Sequence, residues 1–230
     1  MATSLTSSGI IFPTGSQTTK MDSTLDAGRL MQIDKYSTVG ANTWTKPAGC
    51  NKIRVLLVGG GGGASGYSES GGAGQFGEKF IDVSGLATGA TIAITIGGGG
   101  SGTTYANSGS GGGTSSFGSY MTCQGGYGAN TPWGSTGNSH SGGLGGHTGS
   151  GGDFHCPGGA GQGHKGAGTG QGGVTFFGGS KYSTHPSNSY AHYDEGGYSS
   201  PGTGGPGEYT THSRGGANGT AGYCVVYCYT

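Results

Sequence analysis

Glycine is the feature of this sequence that most limits how the chain can fold. Of the 230 residues, 60 are glycine, against about 7% in an average protein. Five of them lie in residues 1–50 and 55 in residues 51–230, so a short ordinary segment precedes a long glycine-rich one. Fixing a glycine backbone costs about 0.5–1 kcal/mol more than fixing an alanine. A folded structure must offset this penalty at every glycine.

Four kinds of structure contain this much glycine: collagen, a flexible linker, a disordered chain and a packed polyglycine structure. Collagen requires glycine at every third position, and residues 158–166 break that frame. Disorder fits poorly with 13 tyrosines, seven phenylalanines and two tryptophans. A polyproline-II type helix has three residues per turn and no internal hydrogen bonds, so its backbone groups are free to bond neighbouring helices. We therefore predict a bundle of polyglycine-II helices.

The remaining sequence predicts a fold that is mainly β and irregular, with almost no α-helix. Segments that alternate or are rich in β-branched residues, bounded by glycine, are typical of strands. We expect them to form a small β element that closes one end of the bundle. The predicted strands lie near 53–58, 76–83, 91–96, 114–123 and 223–229, with a further candidate at 39–49 and a short helix candidate at 22–33.

Three finer predictions concern the surroundings of these strands. Residues 53–58 and the pair Phe176 and Phe177 are assigned to the core. The charges in 76–83 predict an exposed edge strand. The Ser, Thr, Tyr and His residues that interrupt the glycine runs after Gly128 leave open whether every later run is a regular helix.

Charge and apolar content bear on the class of partner. Ten acidic side chains balance ten basic ones, and hydrophobic residues make up 30% of the chain. This balance predicts no nucleic-acid partner and no attraction to an anionic membrane. No apolar run approaches the roughly 20 residues of a membrane span, and residues 1–24 lack the pattern of a signal peptide. We expect neither feature.

The chemistry-bearing residues predict no enzyme, no cofactor and no metal site. Cys224 and Cys228 are separated by about 13 Å along a strand, which is too far for a disulfide, so the five cysteines are expected to be free thiols. His140, His147, His155 and His164 recur at spacings of seven to nine, without the short ligand pairs of zinc sites. No pair of carboxylates has a geometry that the sequence fixes.

The order of strands and glycine runs resembles the glycine-rich domains of bacteriophage tail fibres and tail-tip adhesins, over about residues 40–230. The resemblance begins at Trp44-Thr45-Lys46-Pro47-Ala48-Gly49 and continues through residues 53–63, 74–79, 91–97, 113–118 and 222–227. Residues 9–19 are similar to a short element that recurs in phage fibre stems. Two phage-like elements in fibre order are more specific than either alone.

This resemblance implies a virion structural protein of the phage tail, made in the host cytoplasm. Residues 1–40 would be a virion attachment or stem segment that joins other tail proteins. Residues 41–230 would be a polyglycine-II sandwich that holds loops towards a host receptor, which is a glycan or an outer-membrane protein. A homotrimer is expected by analogy with fibres.

Aromatic and histidine side chains in the insertions are the candidates for receptor binding. Such side chains provide large contact area and hydrogen bonds at low entropy cost. The candidates are Tyr127, Trp133, Tyr182, His185, Tyr190, His192, Tyr193 and Tyr198. The same side chains could instead cap the bundle or pack between subunits. The alternative functions are a phage head-fibre or decoration protein, a structural spacer, or a cellular glycine-rich matrix protein.

Overall fold

A computed structural model describes residues 28–65, 69–103, 107–130, 141–162, 170–179, 200–207 and 216–230 in full, and only the backbone of short strands elsewhere. The described ranges contain no helix. They therefore contain no helix that is long and apolar enough to cross a bilayer. The strands are Ser4–Thr6 (β1), Gly9–Ile11 (β2), Gln17–Thr18 (β3), Leu30–Tyr36 (β4), Gly40–Thr45 (β5), Lys52–Val58 (β6), Phe76–Asp82 (β7), Thr91–Ile96 (β8), Ser115–Phe117 (β9), Met121–Cys123 (β10), Phe154–Cys156 (β11), Gly168–Thr169 (β12), Tyr182–Ser183 (β13), Glu195–Gly196 (β14), Gly207–Tyr209 (β15), Arg214–Gly216 (β16) and Tyr223–Tyr229 (β17).

Two antiparallel sheets form a sandwich. One has the strand order β10-β9-β8-β5 and the other β11-β7-β6-β17-β4. In β8 the three isoleucines are buried and the intervening Thr, Ala and Thr are exposed, as a strand with one face on a core requires. Trp44, Phe117 and the inward side chains of β6, β8 and β17 fill the space between the sheets. Burying each large apolar side chain contributes about 1.5–3 kcal/mol, so side chains hold this part together.

The glycine runs form a bundle in which hydrogen bonds repeat every third residue, and several of the runs continue directly from these strands. The clearest case is the segment 59–65, which follows β6. Residues 60 and 63 donate to the segment 107–114, residues 61 and 64 to 216–222, and residues 62 and 65 to 69–75, with N···O distances of 2.8–3.0 Å. Three residues per turn is the period of a polyglycine-II helix, so the predicted bundle is confirmed.

The segment 59–65 has six hydrogen-bonded neighbours. Its carbonyl groups accept from three segments other than those to which it donates, namely 124–130, 97–103 and 202–207. The segment 69–75, which precedes β7, likewise donates to 157–162, 202–207 and 124–130 and accepts from 59–65, 141–146 and 170–174. We call 59–65 and 69–75 the central segments. Six neighbours around each is the arrangement of hexagonally packed rods.

Eight segments surround the two central ones in a closed ring, within the part of the chain that the structure describes. Each ring segment is hydrogen-bonded to the next, and the last is bonded to the first. In ring order they are 97–103, 107–114, 124–130, 141–146, 157–162, 170–174, 202–207 and 216–222. The described runs after Gly128, whose regularity the sequence leaves open, therefore contribute five of the eight ring segments.

Close approach is the reason for glycine in the central segments. A methyl group on Gly61 would overlap the carbonyl oxygen of Thr203, and one on Gly71 would overlap that of Gly62. Real Cβ atoms do not approach backbone oxygens so closely, so the neighbouring segment would have to move away. Backbone hydrogen bonds to every side replace side-chain burial in this region.

Some backbone N–H groups of the ring point outward, where no further segment can accept a hydrogen bond from them. Polar side chains accept these hydrogen bonds instead. Ser110 Oγ accepts the Ser101 N–H at 2.6 Å, and Asn218 Oδ1 accepts the Gly102 N–H at 2.8 Å. These hydrogen bonds lie at the exposed surface of the bundle. The polar interruptions of the glycine runs thus satisfy backbone groups there.

Most strand predictions are confirmed, including the 39–49 candidate, which contains β5. The segment 114–123 forms two paired strands, β9 and β10. The helix candidate at 22–33 is wrong over Leu30–Ile33, which belongs to β4, while residues 22–27 lie outside the described ranges. The described cysteines are free, as predicted.

Two predictions about exposure are wrong. The strand β7 is not an edge but lies between β6 and β11, and its charge at Glu78 is paired with Arg54 of β6 at 2.7 Å. Phe176 and Phe177 are not in the core, because 54% and 40% of their surface is exposed. They lie on the outward face of β7, where Phe76 is buried beneath them.

Candidate functional site

Outward side chains on a ring segment recur at every third residue, because each turn of a polyglycine-II helix contains three residues. On the segment 124–130 the outward positions are Gln124, Tyr127 and Asn130, and on the neighbouring segment and its continuation they are Ser141, Leu144 and His147. The two segments are antiparallel: the Tyr127 N–H donates to the Leu144 carbonyl at 2.9 Å, and the Asn130 N–H donates to the Ser141 carbonyl at 3.2 Å. The spacing of the helix thus lines up these side chains in two rows.

Tyr127 is held in a fixed position in these rows. The Gln124 side-chain amide donates to the Tyr127 hydroxyl at 3.0 Å, and the Gln124 Oε1 accepts the N–H of His147 at 3.0 Å. The rings of Tyr127 and His147 have centroids 5.9 Å apart and planes inclined by 31°. Tyr127 is still 43% exposed. An aromatic face with polar groups at its edge is therefore presented to solvent on a rigid backbone.

A second aromatic group lies where β7 and β11 enter the bundle. The ring of Phe76, which is buried, stacks on Phe176 with centroids 4.0 Å apart and an interplanar angle of 12°. Phe177 meets Phe76 edge-on at 5.7 Å, and Phe154 is tilted to it at 6.3 Å. The three outer rings are each at least 40% exposed. Phe76 therefore anchors a surface cluster of phenylalanines.

These two groups lie on the same side of the ring. Tyr127, Leu144 and Val174 belong to the segments 124–130, 141–146 and 170–174, and the exposed phenylalanines belong to the strand or turn that continues such a segment. Of the eleven exposed large hydrophobic residues in the described ranges, six lie here: Tyr127, Leu144, Phe154, Val174, Phe176 and Phe177. We call these six the apolar side of the bundle. Exposed apolar side chains that gather on one side of a protein commonly mark a binding surface.

The opposite side of the ring has a different chemistry. The segments 97–103, 107–114 and 216–222 present glycines and small polar residues, such as Ser101, Ser110 and Asn218. The side chains of Ser110 and Asn218 bond the bundle's own backbone. This side offers no large side chain to a partner within those segments.

The family model of a glycine-rich domain matches residues 37–229 of the sequence. The chain belongs to this glycine-rich domain family. The match covers both sheets except β4, which ends at Tyr36, and it covers all the described segments of the bundle. No curated protein sequence matches the chain.

Of the eight residues predicted to bind a receptor, only Tyr127 has a described side chain in this glycine-rich domain. Its exposure agrees with that prediction, which stays untested as a statement about binding. The other seven lie outside the residues whose side chains are described, with Tyr182 placed by its backbone in β13. They are Trp133, Tyr182, His185, Tyr190, His192, Tyr193 and Tyr198.

Sequence reasoning missed Leu144, Val174, Phe154 and the two exposed phenylalanines at 176 and 177 as surface residues. For Leu144 a signal was available: it lies three residues from Ser141 and from His147, with glycines between. In a polyglycine-II helix that spacing defines one face. The aromatic cluster has no such signal, because its place depends on which face of β7 the bundle leaves open.

Two buried cysteine thiols, those of Cys123 and Cys228, are poorly suited to nucleophilic chemistry. Burial raises the pKa of Cys123 to about 12, and burial together with the neighbouring Cys50 raises that of Cys228 to about 12. Thiolates are the reactive form, so both remain protonated near neutral pH. In the described part of the chain, no three His, Cys, Asp or Glu side chains lie close enough to hold a metal ion.

Proposed function

We propose that this protein is a bacteriophage virion protein, a tail fibre or tail-tip adhesin, whose bundle presents the apolar side to a host-cell receptor. The observation that carries the proposal is that six of the eleven exposed large hydrophobic residues in the described ranges lie on one side of the ring, on its segments or on the strand and turn that adjoin them. A soluble protein rarely leaves such surface uncovered without a partner. The resemblance of the strand and glycine order to phage adhesins supplies the class of partner.

The rigidity of the bundle supports the proposal physically. Preorganised side chains lose little conformational freedom when a partner binds. Tyr127 is tied to Gln124, and the backbone beneath it is bonded to neighbouring segments. Substitutions at Tyr127 and Leu144 would change the surface without removing a side-chain acceptor of a backbone N–H group. Such an arrangement allows receptor preference to vary while the fold stays constant.

Adsorption of the full chain to bacterial cells tests the proposal. The labelled protein is incubated with a panel of candidate hosts, and whole phage is added as a competitor. We expect saturable binding to at least one host that the phage displaces. Absence of binding by folded protein on every host that the phage infects would overturn the proposal and favour a decoration protein or a spacer.

Variants locate the binding surface. Replacing Tyr127 and Leu144 together by alanine is expected to weaken adsorption at least tenfold, because aromatic and large apolar side chains carry most of the energy of an interface. Val39→Ala is the matched control, since Val39 is 55% exposed and lies outside the apolar side. Deleting residues 181–199 tests the tyrosines and histidines predicted from the sequence independently. Loss of adsorption only in the deletion would move the receptor site to that segment.

A further inference from the structure

The two sheets of the sandwich have four edge strands, which differ in how far their free backbone groups are blocked from pairing with another strand. The edges are β10 and β5 in one sheet and β11 and β4 in the other. An edge strand carries a row of N–H and C=O groups that can pair with another strand, and proteins usually block such edges. The hydrogen bonds of the described residues determine which of these edges are blocked.

Three of the edges are short, covered or capped. The backbone of Thr122 in β10 exchanges two hydrogen bonds with Ser150, at 2.8 and 3.1 Å, so the chain itself covers that edge. In β5 the Asn42 side-chain amide donates to the carbonyls of Thr38 and Gly40, at 2.8 and 3.0 Å. The strand β11 has only three residues. Only β5 has more than three residues; it is capped at its start, and its exposed side chains, those of Ala41, Thr43 and Thr45, are small.

The edge at β4 is long and apolar. This strand has seven residues and, among the described strands, pairs only with β17. Its side chains include Leu30, Met31 and Ile33, which are 46%, 40% and 44% exposed. Ile33 lies opposite Tyr227 of β17, on the outward face of the five-stranded sheet. The strand thus has both the backbone groups and the apolar side chains that a pairing strand would cover.

We propose that β4 pairs with β4 of a second copy of this chain, antiparallel, with a two-fold axis at Ile33. The five-stranded sheets of the two copies then form one continuous sheet. Residues directly opposite each other in such a pair lie on the same face. Ile33 therefore meets Ile33 of the other copy, and Gln32 lies opposite Asp34.

Charge and hydrogen bonding select this register. Gln32 already donates one amide N–H to its own Asp34 at 2.6 Å, and its second N–H is available to the carboxylate opposite. A two-fold axis at Asp34 would instead place two carboxylates directly opposite each other, which is destabilising. An axis at Gln32 would place Leu30 opposite Asp34. Only the axis at Ile33 matches an apolar pair at the centre with a donor and an acceptor beside it.

A cysteine at the axis tests the register directly in the full chain. Opposed residues have Cβ atoms about 4.5–5.5 Å apart, close to the separation that a disulfide bridges. Ile33→Cys is therefore expected to give a covalent dimer under mild oxidation. Lys35→Cys is the matched control on the same face. Two such residues would be about 13 Å apart in this register, so we expect no dimer. Unsubstituted protein controls for cross-linking through Cys156, which is partly exposed.

Self-association in solution provides the second test. Sedimentation of the full chain is expected to show a dimer, and Ile33→Lys to weaken dimerisation at least tenfold while leaving the melting temperature nearly unchanged. Phe80→Lys is the control, because Phe80 is 59% exposed on the same outward face but lies on β7. A monomer at all concentrations, or a trimer in which the Ile33→Cys variant forms no cross-link, would overturn the proposal. A dimer that Phe80→Lys disrupts and Ile33→Lys leaves intact would overturn it as well.

Discussion

The bundle and the sandwich offset the entropy cost of folding by different interactions. In the sandwich, alternating strands bury side chains such as those of β8, and the backbone groups pair within each sheet. In the bundle, the only apolar side chains that the central segments bury are those of Ala64 and Ala73, and successive backbone groups bond different neighbours in turn. We therefore expect the sandwich to lose stability when atoms are removed from a buried side chain. We expect the bundle to lose stability when a side chain is added to a glycine.

The join between the two regions explains why they form one domain. The central segments follow β6 and precede β7, which are neighbouring strands of the five-stranded sheet. Strand pairing therefore sets the two central helices side by side. Five of the eight ring segments likewise adjoin a strand of the sandwich, as 97–103 adjoins β8 and 124–130 adjoins β10. The sandwich thus fixes one end of each of those segments.

The largest expected effect is from adding one carbon atom to a central segment. Gly61→Ala places a methyl group on the carbonyl oxygen of Thr203, and Gly61 cannot retreat because segments surround it on all sides. We expect a loss of about 5 kcal/mol or more in the free energy of unfolding, which is exceptional for one substitution. Denaturant unfolding with circular dichroism provides the measurement.

Gly85→Ala is the control for that change. No atom lies within 4 Å of the position of its Cβ, and its φ is not positive. We expect its stability to stay within about 0.5 kcal/mol of the original. Equal effects of the two substitutions would contradict the close packing of the central segments.

The next effect in size comes from the sandwich. Phe117 is fully buried between the sheets and contacts Trp44 with ring centroids 6.4 Å apart. Phe117→Ala is expected to cost about 4 kcal/mol, from lost burial and the cavity that remains. Leu144→Ala makes a similar deletion on the surface of the bundle, where the side chain is 61% exposed, and should cost little. A comparable loss from both would mean that side chains also hold the bundle together.

The two regions also differ in how much of their structure could be predicted from the sequence. Strands such as β8 were predictable because Ile92, Ile94 and Ile96 alternate with small residues. The bundle was predictable because a glycine run offers only backbone groups for hydrogen bonding. The order of segments around the ring was not predictable, since every glycine run offers the same donors and acceptors. Phe176 and Phe177 were misassigned for the same reason: an aromatic pair indicates burial, but the open face of β7 is decided by distant segments.

A smaller effect is expected where polar side chains complete the ring. Asn218→Ala removes the acceptor of the Gly102 N–H, and an unmade hydrogen bond of this kind costs about 1 kcal/mol. Asn218→Asp retains an oxygen at the same place and should retain most of the stability. Thermal unfolding and hydrogen exchange at the Gly102 amide provide the measurements. Unchanged exchange in the alanine variant would show that water replaces the side chain without loss.

The smallest effect is from acid, and it should appear in the sandwich alone. The Asp153 carboxylate accepts the Phe80 N–H at 2.8 Å and lies 3.4 Å from the Lys79 ammonium group. The hydrogen bond, and then the charge, lower the pKa of Asp153. An ordinary aspartate has a pKa of about 3.9, so this stabilisation is complete above about pH 5. It is lost as the pH falls through the lower pKa of the folded state.

Hydrogen exchange between pH 6 and pH 2 separates this effect from general unfolding. After correction for the intrinsic pH dependence of exchange, the Phe80 amide should lose protection in acid before the Gly61 amide, which donates to Thr220 within the bundle. Asp153→Asn removes the charge and should leave the relative protection of the two amides independent of pH. If both amides respond to acid together in the original and the variant, the two regions unfold as one, and the difference between them is one of packing and not of stability.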